Sequence, residues 1–175
     1  MTKIIISAMV FLMGLTAQAQ DPFQKFEDMQ DVASIVVNQK MFKMLSQFNL
    51  DTDDAEMKSY IDLVNSLDDI KFYSTKDNNT AKLMRTEFNK YLGMAKLDEL
   101  MRVKDDGKDV QFFAKPGKSE DYVSEFVMFI DGVSNSDETV IAKITGDINL
   151  KEIGKIASSI NFSGSEELKN VKVNK

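Results

Sequence analysis

The chain has 175 residues, a formal net charge of −6, 43% hydrophobic residues, and neither histidine nor cysteine. This composition removes Ser-His-Asp and Cys-His catalysis, imidazole and thiolate metal sites, and disulfides, so a packed core alone must hold the fold. The acidic balance works against binding to phosphate backbones and anionic headgroups.

The first residues, MTK followed by the apolar run IIISAMVFLMGLTA and then Ala17-Gln18-Ala19, have the charged, apolar and small-residue order of a secretory signal peptide. The expectation is a cleaved signal at residues 1–19 and a single domain over residues 20–175. At roughly 155 residues such a domain can bury a core without staples. The apolar run is too short and too early for a mature transmembrane span. A bacterial lipid anchor needs a cysteine at the cleavage site, and the chain has none. The predicted location is therefore the periplasm or the cell exterior, with no transmembrane span or lipid anchor.

After the signal, Asp21-Pro22 fits an N-cap with proline at the first helical position, followed by Phe23 and Phe26 on one face. Residues 33–37, ASIVV, are β-branched and apolar on both faces, which predicts an interior strand. In KMFKMLSQF, Met41, Met44, Leu45 and Phe48 fall on one helical face. Met57, Tyr60, Ile61, Val64 and Leu67 continue with the same period in the next helix. The acids before it, Asp51, Asp53 and Asp54, suggest a calcium loop, but counting from Asp51 the fifth, sixth and twelfth positions are Ala55, Glu56 and Asp62. A ligand, a turn glycine and a bidentate glutamate are needed there. Asp53 with Glu56 three residues later reads instead as a capping-box start.

Residues 70–75, IKFYST, form a second strand, and Asp77 to Asn79 make a turn into a helix with Ala81, Met84, Phe88, Tyr91 and Leu92 as its stripe and Gly93 as its C′ residue. Asp106-Gly107 between alternating runs predicts a hairpin in which Val103 pairs with Val110, Arg102 with Gln111 and Met101 with Phe112. Residues 122–130 are apolar on both faces and belong in the middle of the sheet. Residues 139–145 supply the last strand, and Asn149 with Glu152 starts a helix whose inward face is Leu150, Ile153, Ile156, Ala157 and Ile160. The fold class is α+β: a mixed, mostly antiparallel sheet of about six strands with helices packed mainly on one face. The first two strands, joined through helices, are expected to be parallel by a right-handed crossover.

Chemistry must rest on carboxylates, lysine or tyrosine. The adjacent acids Asp53/Asp54, Asp68/Asp69, Asp105/Asp106, Glu120/Asp121 and Glu166/Glu167 all lie at predicted turns or element ends, where they cap and solubilise. Met41 and Met44 could offer thioethers to Cu(I), but they share their stripe with Leu45 and Phe48 and read as core filling. No catalytic, cofactor-binding or metal-ligating residue is singled out, and no cofactor is implied.

The segments KFEDMQDVASIVVNQKMFKML, LMRVKDDGKDVQFFAK and ETVIAKITGDINLKEIGKIA resemble a domain-of-unknown-function family of small exported proteins from Bacteroidota-type bacteria. The resemblance covers nearly all of the mature chain, and MRVKDDGK and ITGDINLKEI are its most specific parts. It implies a Gram-negative envelope location and brings no catalytic residues with it. Some relatives are lipoproteins, a tether for which this chain lacks the cysteine.

The function expected is therefore an exported, non-catalytic envelope protein that binds an envelope or extracellular protein, with no nucleic acid. The alternatives are a periplasmic carrier of an apolar ligand held by residues such as Phe112, Phe126 and Met128, and a carboxylate-based hydrolase.

Overall fold

The computed structural model describes residues 21–48, 55–105, 108–132 and 137–150. One 3₁₀ turn, Gln24–Phe26, precedes β1 (Ala33–Asn38), α1 (Gln39–Phe48), α2 (Ala55–Ser66), β2 (Leu67–Thr75), α3 (Asn78–Ala95), β3 (Asp98–Asp105), β4 (Lys108–Pro116), β5 (Tyr122–Gly132) and β6 (Thr139–Asn149). The strands form one six-stranded sheet in the order β1-β2-β6-β5-β4-β3. The fold is α+β, and the last four strands form the expected meander.

Every pair in the sheet is antiparallel, including β1 with β2, which corrects the expected parallel crossover. A parallel pair needs the connection to carry the chain back to the end where the first strand began. Here Asn38, the last residue of β1, lies opposite Asp69 near the start of β2. The two helices between them return the chain to the end it left.

The helices are also divided between the two faces of the sheet. One face packs Phe42 of α1 and Leu63 and Val64 of α2 with Val110, Phe112, Phe126, Met128, Ile130, Val140 and Ile144. The other packs Met84, Phe88 and Tyr91 of α3, Phe26 of the 3₁₀ turn and Phe23 just before it, with Tyr73, Phe113, Val127, Phe129 and Ile141. Phe88 stacks on Phe129 at 4.2 Å between centroids and meets Phe113 edge-on at 5.7 Å. A sheet centre that is apolar on both sides, as β5 is, needs cover on both, each buried aromatic contributing about 1.5–3 kcal/mol. Among the described residues no helix is long and apolar enough to cross a membrane.

Local signals account for several elements. The β3-β4 register has the predicted pairs Met101 with Phe112, Arg102 with Gln111 and Val103 with Val110; the turn itself, Asp106-Gly107, lies outside the described residues. Asp77 caps α3 by accepting hydrogen bonds from the Asn79 and Thr80 N–H groups at 3.0 and 2.8 Å. The helix does not stop at Gly93. It runs to Ala95, and Lys96 takes the left-handed position at φ 51°, so the glycine is interior to the helix. β6 runs to Asn149, four residues past the predicted end, through Gly146 at φ +141°. A Cβ at Gly146 would stand 2.3 Å from the Ser66 carbonyl oxygen, at the irregular start of the β2-β6 ladder. The capping box at Asp53, and the helix expected beyond Leu150, lie outside the described residues.

Candidate functional site

Among the described residues the adjacent acids do not gather. Asp68 is exposed and accepts a hydrogen bond from the Gln39 amide at 3.1 Å. Asp69 accepts from the Thr145 hydroxyl at 2.8 Å. Glu120 and Asp121 sit on the exposed turn between β4 and β5. Asp53, Asp54, Asp106, Glu166 and Glu167 lie outside the described residues. Among the described residues no three acidic side chains converge as a metal-ligand set. Phe112, Phe126 and Met128 are all buried in one core cluster, with the two rings 6.1 Å apart and Phe112 directly opposite Met128.

A dense polar arrangement crosses the centre of the sheet on the α3 side. Strand register puts Asp69, Thr145 and Glu125 in one row and Lys71 opposite Lys143 in the next. Like charges directly opposite repel. Asp21 answers this pair, its Oδ2 lying 2.7 Å from Lys71 Nζ and 3.8 Å from Lys143 Nζ while its Oδ1 accepts the Phe23 N–H at 3.0 Å. Burial pushes the Asp21 carboxyl up, but the Lys71 hydrogen bond, the Phe23 N–H and the Lys143 charge together hold it below its ordinary value of 3.8. Lys71 loses solvation, yet Asp21, Asp69 and Glu27 raise it above 10.5.

Two tyrosines complete the cluster. Tyr73 donates to Glu27 at 3.0 Å and Tyr91 donates to Glu125, which is buried. Burial first, and the carboxylate partner second, push both phenols far above 10.0, so each stays protonated at neutral pH with its proton engaged by an internal acceptor. Lys143 Nζ also lies 5.2 Å from the centroid of the Tyr91 ring. Apart from Asp69 Oδ1, which is buried without a hydrogen-bond partner, these groups engage one another, and their joint effect is to fasten residues 21–27 across β2, β6 and β5. Chemically that is a clamp on the N-terminal segment.

Among the described residues, a run of exposed apolar side chains lies at the β1 edge of the sheet. Five of the six residues of β1 are exposed, with Ile35 at 56% and Val36 at 45%. This corrects the interior placement expected for ASIVV. Apolar side chains on both faces are shared by interior strands and by edges that take a neighbour from another chain. Asn38 caps α1 by accepting the Met41 N–H at 3.2 Å, so strand passes into helix with no loop. That cap fixes the helix phase so that Phe42 enters the core while Met41 and Met44 are exposed. The expected core-filling role of both methionines is thereby corrected: the larger ring took the inward position.

The opposite edge, β3, is built differently. It carries Asp98, Glu99, Arg102, Lys104 and Asp105, and its ladder with β4 skips Leu100 between Glu99 and Met101. Arg102 is engaged by Glu99 at 2.9 Å and by Asp109 at 3.6 Å. Charges and a bulge are standard protection against strand addition. β1 pairs with β2 residue for residue without a shift and contains no charged residue at all.

A model of a domain of unknown function, DUF4252, matches residues 26–156. The chain belongs to the DUF4252 family. No curated protein and no solved structure matches it. The six strands and three helices of the described residues fall inside the DUF4252 span, and so does the β1 edge; Asp21 and Phe23, which the clamp secures, precede it. Sequence reasoning missed both features. Asp21 read as a cap alone, because nothing in the sequence places Lys71 and Lys143 side by side. For β1 the available signal was the complete absence of charge in a strand whose counterpart, β3, is heavily charged.

Proposed function

We propose that this DUF4252 chain is exported and works in the bacterial envelope or outside the cell as a non-catalytic binding protein, taking a partner strand at the β1 edge. The observation that carries the reading is the contrast between edges: one shielded by charge and a bulge, the other uncharged, regular and exposed. Strand addition supplies affinity through main-chain hydrogen bonds, and Ile35 and Val36 offer one apolar side chain to each face of the incoming strand. Met41 and Met44, exposed on the helix that follows, add adaptable apolar surface. A chain without histidine or cysteine, whose central lysines, tyrosines and Asp21 are tied to one another, keeps few groups for turnover.

Export rests on the order of charged, apolar and small residues in 1–19, followed at once by Asp21, Phe23 and Phe26, which are built into the fold. N-terminal sequencing of the protein from cell fractions tests it: the expected mature form begins at Gln20, and a cytoplasmic form retaining residues 1–19 overturns it. Affinity capture from the envelope fraction with wild type and Val36→Lys tests the edge. A bound species lost with the lysine supports the reading; identical bound sets overturn it.

A further inference from the structure

We infer that the occupant of the β1 edge is the same edge of a second copy of this chain, giving a closed two-fold dimer with one continuous sheet. The inference rests on the strand-addition reading and names its partner.

Three observations lead there. The first is self-complementarity. A two-fold axis through Ile35 pairs Ile35 with Ile35, Ser34 with Val36 and Ala33 with Val37 of the other copy; an axis through Val36 pairs Val36 with Val36, Ile35 with Val37 and Ser34 with Asn38. Either register brings only uncharged side chains into opposition, and neither buries a lone charge. Each also keeps residues of one face against residues of the same face, as antiparallel pairing demands.

The second is closure. Pairing β1 of one copy with β3 of the next would be head-to-tail and would propagate as an open filament. The charges and the Leu100 bulge on β3 block that mode. With one edge shielded and one bare, self-pairing can only close, and it stops at two copies.

The third is size. A six-residue edge spans about 20 Å, so the contact falls in the small, reversible class of interfaces even with Met41 and Met44 flanking it. The full chain carries the formal charge −6, and each processed copy, without Lys3, is one unit more negative; salt screens their mutual repulsion. The dimer therefore tightens as ionic strength rises, the opposite of the behaviour expected for a basic partner.

Sedimentation equilibrium of the processed chain, from micromolar to hundreds of micromolar and at low and high salt, is the test. The expected result is a monomer-dimer equilibrium strengthened by salt, weakened at least roughly tenfold by Ile35→Lys or Val36→Lys, and unchanged by Leu100→Lys on the other edge. A second measurement guards against misfolded variants: in the wild type, hydrogen exchange at β1 amides slows as concentration rises. A dimer indifferent to both edge lysines overturns the inference, because another surface then makes the contact. A wild type that stays monomeric throughout also overturns it; the strand-addition reading survives that outcome if Val36→Lys still loses a different captured partner, and falls with it if captured partners are the same.

Discussion

Asp21→Asn removes one charge and keeps an oxygen for the Phe23 N–H, so it isolates the ion pair with Lys71 and Lys143. Those two lysines face each other across β2 and β6, and all three side chains are less than one-fifth exposed. Removing one partner of a buried pair costs about 3–5 kcal/mol. Residual solvent contact, and Glu27 at 3.7 Å from Lys71, reduce this to about 2 kcal/mol. In a domain of this size that lowers the melting midpoint by about 4–8 °C. Asp21→Ala also strips the Phe23 N–H of its acceptor and costs about 1 kcal/mol more. Adding Lys143→Met to Asp21→Asn relieves the repulsion and recovers part of the loss, an interaction that a double-mutant cycle reads directly. The pH dependence has a definite sign. The folded pKa of Asp21 lies below 3.8, so its contribution is complete above that value and disappears as pH falls through the lower folded pKa. Melting curves of wild type and Asp21→Asn should therefore converge in acid. An Asp21→Asn protein that melts with the wild type at pH 7, or a gap that persists unchanged into acid, refutes the clamp.

Gly93→Ala should stabilise α3 by about 1 kcal/mol, because the position is interior to the helix and nothing lies within 4 Å of the added Cβ; a lower midpoint in denaturant would contradict the helix boundary. Gly146→Ala should cost at least about 3 kcal/mol, from a positive φ and a Cβ 2.3 Å from the Ser66 oxygen, and unchanged stability in urea would rule out that backbone path. Tyr91→Phe leaves the buried Glu125 without its phenol donor and should cost about 1–3 kcal/mol by thermal unfolding. At high pH the raised values of Tyr73, Tyr91 and Lys71 set a second window: their contribution is intact below pH 10.0, the ordinary tyrosine value, and is lost as pH climbs toward the higher folded values. Phenolate absorbance from Tyr73 and Tyr91 should appear only together with loss of far-ultraviolet ellipticity; ionisation of all tyrosines in a folded protein would contradict their burial.

Where an element is specified by neighbours in the chain, the sequence is enough. The β3-β4 pairing follows from alternation about Asp106-Gly107, and all three predicted pairs occur. The α3 stripe of Ala81, Met84, Phe88 and Tyr91 is buried as its period requires. β5 is central because both of its faces are apolar. Reading failed where the deciding partner is distant. Gly93 has the composition of a helix stop, but helix continuation to Ala95 brings Ala95 and Leu97 onto the second core cluster. Met41 and Met44 fit a helical stripe as well as Phe42 does, and only the cap at Asn38 and the sheet beneath choose between them. Lys71 and Lys143 are 72 positions apart in the sequence, and only strand order makes them neighbours needing Asp21 between them.

The misplacement of β1 carries more information than the successes. Period and composition report how much of a strand is meant to be covered; they do not report by which chain. A strand with apolar residues on both faces and no charge belongs between two others, and among the described residues it has β2 on one side only. The other edge of the same sheet has the charged, bulged form that keeps strands apart. One sequence has thus treated its two edges in opposite ways. An edge left bare by accident should tolerate lysine at Val36 with no loss of association, because that side chain is already exposed and the monomer gives up little to accept it. An edge completed by a second copy should lose its partner with the same substitution while the monomer's melting temperature stays within a few degrees, which is the outcome the strand's composition predicts.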